Sequence, residues 1–122
     1  MEPVSEDPLP PDETIEAARV LLADGRPFSA HEVFEARWKD GPTTERDLWQ
    51  GLAQLCVGST HRERGNVKGA RTLWARARGR LISYAGTDEP RYGLDVDALV
   101  GWLDRRLADL ESSSPTAEPP PI

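Results

Sequence analysis

Residues 29–38 read Ser29-Ala30-His31-Glu32-Val33-Phe34-Glu35-Ala36-Arg37-Trp38. The stretch holds no proline or glycine and reads as one helix. His31 and Glu35 are four apart, and Trp38 is three further on. Side chains at those spacings are surface neighbours on a helix. One face thus carries an imidazole, a carboxylate and an indole, while Val33, Phe34 and Trp38 supply apolar contacts. Ser29 and Glu32 have the spacing of a capping box, in which each side chain bonds the other's backbone N–H. The helix is expected to stop at Asp40, because Gly41 accepts the left-handed position and Pro42 cannot continue it.

Working outward, four more helices follow from the same signals. Asp12 caps a first helix whose stripe is Ile15, Ala18, Val20, Leu21 and Leu22, and Gly25 ends it. A third helix is expected from Thr44 to Arg64, with Thr44 as cap and Asp47 at the third helical position. Its apolar set is Leu48, Leu52, Leu55 and Cys56. Gly51 and Gly58 lie inside it, where glycine costs about 1 kcal/mol against alanine. Close approach of a neighbouring helix would offset that cost. Gly65-Asn66 breaks the chain, with Asn66 capping a fourth helix from Val67 to Ala85. Asp95 caps a fifth, striped by Val96, Leu99, Val100, Leu103, Leu107 and Leu110. Nothing alternates at period two over any length. The fold class is therefore all-α, a five-helix antiparallel bundle with short connections.

The ends differ from the middle. Residues 1–11 and 111–122 hold eight of the eleven prolines. They read as a disordered acidic tail and a disordered Pro-rich tail around a helical domain at 12–110. The net charge is −6, and the tails supply five of those charges, three before residue 12 and two after residue 110. The middle is left near −1, which makes no case for nucleic acid or membrane binding. Cys56 is the only cysteine, so an internal disulfide and a Cys-rich metal site are both excluded. The N-terminus lacks the apolar run of a signal peptide, and no apolar run reaches transmembrane length. The expectation is a cytoplasmic protein with a reduced thiol.

His31 and Glu35 can jointly hold a divalent metal, or the carboxylate can orient the imidazole as a base. A metal site needs a third ligand. His61 is the candidate, with Gln54 and Gln50 forming a polar stripe along the third helix at offsets of four and seven. Trp38 would wall the pocket or anchor the core, and Glu32 is a further polar neighbour. His31-Glu32 opens like a zincin motif, but the fifth position is Glu35 rather than histidine. The competing reading is a structural network in which these groups satisfy one another. Arg37 has two readings, an anion contact, or a surface charge or ion-pair partner for the turn of Glu35.

The chain resembles the DUF309 family of small helical proteins of unknown function. The resemblance rests on Phe28 to Trp38, on Gln50 to Leu55, on His61 with Arg64-Gly65-Asn66, on Gly69-Ala70 and on Gly93 to Val96. Cys56 and Ser59 stand where small apolar residues are expected. The family's His-x-x-x-Glu-x-x-Trp/Tyr motif is His31, Glu35 and Trp38 here. The resemblance implies an all-helical fold and a conjectured metal site, not an established activity; by donor type the ion would be zinc, manganese or iron. Such a metal would activate water for hydrolysis.

A second class of function is a non-enzymatic interaction module. Residues 62–80 contain seven bases and one acid. Arg64, Lys68, Arg71 and Arg78 form a basic stripe that suits phosphates or an acidic protein. The plainer reading pairs them with acids such as Asp104 or Asp109. A homo-oligomer through a helix face is compatible with the sequence, which names no partner.

Overall fold

A computed structural model describes residues 9–110 and 119–122. Five α-helices occupy Pro11–Ala23 (α1), Pro27–Asp40 (α2), Arg46–Glu63 (α3), Val67–Ala85 (α4) and Val96–Asp109 (α5), with a 3₁₀ turn at Thr43–Glu45. There is no strand among the described residues. Each helix packs on the next in chain order, from α1 on α2 through α4 on α5. Short connections make these neighbours antiparallel. The architecture is the all-α bundle that the apolar stripes demand. Of the tails expected to be disordered at 1–11 and 111–122, residues 1–8 and 111–118 lie outside the described residues, whereas Pro11 begins α1 and Ile122 packs against the core.

Helix boundaries follow local chemistry where polar caps act alone. Asn66 accepts from the N–H of Gly69 at 2.9 Å, and Asp95 accepts from that of Ala98 at 3.0 Å. Both caps stand where the sequence puts them. Gly65 has φ +77°, the left-handed conformation that ends α3.

Three other starts differ, two of them because proline intervenes. Pro11 and Pro27 begin α1 and α2, and Asp12 and Ser29 fall inside the helices. Proline is favoured at a first helical position, where its missing N–H leaves nothing unpaired. The capping box of Ser29 and Glu32 therefore does not form. Ser29 Oγ instead accepts from Arg26 Nη2 at 3.2 Å, and Glu32 is exposed. Thr44 sits in the 3₁₀ turn and caps nothing by its side chain. Asp47 is recruited across the bundle by Arg80 at 2.9 Å. Gly41 closes α2 with φ −78°, an extended rather than left-handed stop.

The core is built on α3. Leu48, Trp49, Leu52, Leu55 and Cys56 are fully buried. Burial pushes the Cys56 thiol well above its ordinary range, so it stays protonated. The interior glycines do what their cost implied. A Cβ on Gly51 would meet Leu81 at 3.1 Å, and one on Gly58 would meet Trp74 at 2.4 Å. Trp74 fills the space over Gly58 and donates its indole N–H to the carbonyl of Leu55 at 3.0 Å. The α3–α4 contact thus combines a missing side chain with a buried hydrogen bond.

Replacing Gly58→Ala should lower the urea-unfolding free energy by about 1–3 kcal/mol through overpacking against Trp74. Gly79 lies inside α4 with nothing within 4 Å of an added Cβ. Gly79→Ala should raise stability by about 0.5–1 kcal/mol. Equal stability of the Gly58→Ala protein and the wild type would refute the close approach.

Candidate functional site

Helix α2 brings His31 and Glu35 together. His31 Nε2 lies 2.8 Å from Glu35 Oε2, and Nδ1 lies 3.2 Å from the carbonyl of Phe28. Both partners are acceptors, so both contacts are hydrogen bonds when the ring carries two protons. Lys39, one turn further, donates to Glu35 Oε1 at 2.7 Å. The ammonium of Lys39 holds the Glu35 carboxyl below its ordinary value, with His31 acting in the same direction against partial burial. The imidazole side chain is 16% exposed and the carboxylate 37%. Phe28, exposed, tilts its ring against His31 at 5.1 Å. Trp38 is half-buried against the core, with Lys39 Nζ 6.0 Å from its ring.

The register of α2 on α3 decides what can join this pair. Phe34 stacks on Trp49 at 6.3 Å, and Pro27 shares a cavity wall with Ser59. In an antiparallel pair the Phe34–Trp49 contact puts Gln54 within a turn of the height of His31 and Gln50 within a turn of that of Glu35. Gln54 Oε1 is buried and has no hydrogen-bond partner among the described residues. An orphaned carbonyl oxygen of this kind is costly unless something donates to it or it binds a cation.

His61 lies seven residues beyond Gln54, about 10 Å further along the helix. It is turned to the α3–α4 junction, where Asn66 Nδ2 is 3.2 Å from its Nδ1. Its ring lies 2.8 Å from where a Cβ on Gly69 would stand. Among the described residues, no three His, Cys, Asp or Glu side chains are grouped to hold a metal ion. The expected trio of His31, Glu35 and His61 is therefore not assembled. A donor set of His31, Glu35 and Gln54 is compatible with the register.

A second polar centre was not foreseen from the sequence. Glu45 is only 6% exposed. Its carboxylate accepts from Trp49 Nε1 at 3.1 Å and from the hydroxyl of Tyr92 at 2.7 Å. Arg37 Nη2 is 4.0 Å away, and its guanidinium lies 5.7 Å from the Trp49 ring. Arg37 is thus neither an exposed charge nor a partner of Glu35. Tyr92 also stacks on Trp49 at 5.7 Å and takes φ 52°, a left-handed conformation rare for a bulky residue. Two contacts to a buried pair hold it there. An acid in a short connection gives no sequence signal for burial; the aromatic Tyr92 beside Gly93 was the available hint.

The basic stripe is only partly solvent-facing. Arg64, Lys68 and Arg71 are exposed, while Arg78 pairs with Asp104 of α5. Among the described residues, no helix is long and apolar enough to cross a membrane.

The family model described as "Domain of unknown function (DUF309)" matches residues 15–73. That segment is similar to the DUF309 family. It takes in α2, α3 and the α3–α4 junction, and it ends inside α4. The matched residues include His31, Glu35 and Trp38. Among curated proteins, the uncharacterized protein YpuF of Bacillus subtilis (strain 168) is 35% identical over 71 residues, covering 52% of this chain and 41% of YpuF. The chain spans about two-fifths of that relative's length. No solved structure matches the chain significantly.

Two titrations follow. Burial and the nearby Glu45 carboxylate push the hydroxyls of Tyr84 and Tyr92 up to about 12. Stability tied to them is full below the ordinary value of 10.0 and is lost as pH rises through about 12. Absorbance at 295 nm should therefore stay flat through pH 10 and rise together with unfolding; ionisation of either tyrosine at pH 10 would contradict the buried centre. Glu35 works at the opposite end. Its lowered carboxyl stabilises the fold fully above the ordinary value of 4.5 and loses that effect as pH falls through the lowered value. The urea midpoints of the wild type and Glu35→Gln should converge on acidification, and a pH-independent gap would rule this out.

Proposed function

We propose that this DUF309-like domain is a helical binding module whose α2–α3 face takes a divalent metal ion through His31 and Glu35, with Gln54 as an oxygen donor. What supports this reading is the buried, unpartnered Oε1 of Gln54 on the helix packed against the one that carries the His31–Glu35 pair. One nitrogen and two oxygen donors suit borderline and hard ions, so zinc, manganese and iron are the candidates. Such an ion would supply an activated water, the chemistry a hydrolase uses. Gln50 would orient a bound group beside Glu35, and Trp38 would bound the same helix face.

A second reading has its own support. Lys39 sits on Glu35, and both ring nitrogens of His31 have a partner. In that reading the cluster is a structural network, and the module acts through its surface on a protein partner.

Isothermal titration with zinc and manganese separates the two. The metal reading predicts saturable one-to-one binding that His31→Ala and Glu35→Ala abolish, that Gln54→Ala weakens about tenfold, and that His61→Ala leaves intact. Absence of binding to the wild type ends the metal reading. Under the structural reading, His31→Ala lowers stability and nothing else.

A further inference from the structure

Where the α1–α2 turn, the end of α3 and helices α4 and α5 meet, the surface holds a cavity of about 340 Å³. Trp74 and Trp102 line it, and their rings meet edge to face at 5.7 Å. Leu22 and Pro27 extend the apolar lining, and Arg106 lies 5.5 Å from the Trp102 ring. Pro119 and Pro120 form part of the same wall, although they come from beyond α5. Pro120 and Ile122 are half-buried, while Pro119 and Pro121 are exposed. Ile122 packs against the hydrophobic core, and Arg19 Nε donates to its carbonyl at 2.9 Å.

We propose that this surface is a docking groove for proline-rich segments, and that Pro119–Ile122 is its ligand in cis. The prolines at 119–121 form the only run of three in the sequence. Such a run favours an extended, preformed conformation, so it surrenders little entropy on docking. Grooves lined by aromatic rings bind that conformation through ring-to-proline contacts. Here two tryptophans supply the rings. The arginine on α1 supplies a donor to the backbone, and the aliphatic Ile122 anchors the end. Tethering supplies an effective concentration in the millimolar range, so a contact too weak to hold a free peptide persists within one chain. The exposed faces of Pro119 and Pro121 leave the segment able to lift off as a unit.

The test uses the full chain, labelled on its indole nitrogens and followed by NMR. Substituting Pro120→Gly together with Ile122→Ser should shift the Trp102 indole signal and leave that of Trp49 unmoved. Arg19→Ala should shift Trp102 in the same direction by a smaller amount. A peptide of residues 116–122 should then return Trp102 of the double variant towards its wild-type position, saturating in the millimolar range. The wild type should need at least tenfold more peptide, because its own segment competes. An unmoved Trp102 in the double variant overturns the proposal. So does a peptide without effect on that variant, or equal effect from a peptide whose prolines are replaced by alanine.

Discussion

The seating of Trp49 against α2 is the constraint on which the candidate site depends. Its ring is fully buried, its N–H is tied to Glu45, and Phe34 and Tyr92 both stack on it. Aromatic pairs of this kind add about 0.5–1.5 kcal/mol each beyond burial. Their larger effect is on register. With Phe34 against Trp49, α2 and α3 cannot slide by a turn without emptying a large buried volume. The buried carboxylate adds a second lock, because its partners come from α2, α3 and the α4–α5 connection and losing one leaves it less well compensated.

Register then decides the chemistry. It sets Gln54 within a turn of the height of His31 and Gln50 within a turn of that of Glu35, and it carries His61 away to the α3–α4 junction. Two histidines in one chain invite the thought of a shared metal. Helical rise opposes it, since seven residues are about 10 Å. His61 belongs instead with Asn66 and Gly69, where it helps close a tight turn. The DUF309 match covers both places, so His31 and His61 can each serve the domain without serving the same site.

Much of the fold was legible in the residues themselves. The bounds of α4, the caps at Asn66 and Asp95, and the close approach at Gly51 and Gly58 all follow from local chemistry that no tertiary contact overrides. The misread starts have local causes. Ser29 and Thr44 are good caps, but Pro27 and the 3₁₀ turn before Arg46 take the position first. The site was half legible. A pair four residues apart on one helix is fixed by helical geometry alone, and His31 and Glu35 meet as their spacing requires. A third group from another helix depends on the register, which rests on the pairing of Phe34 with Trp49. The buried Glu45 centre was invisible for a related reason. Its donors come from α3 and from the α4–α5 connection, forty-seven positions away in the case of Tyr92.

The central claim is that His31, Glu35 and Gln54 share one location that excludes His61. Paramagnetic broadening by manganese, read residue by residue in the NMR spectrum of the full chain, tests it most directly. The account predicts that the side-chain signals of His31 and Gln54 broaden first while those of His61 and Asn66 stay sharp. Simultaneous broadening of both imidazoles, or broadening of neither, would contradict it.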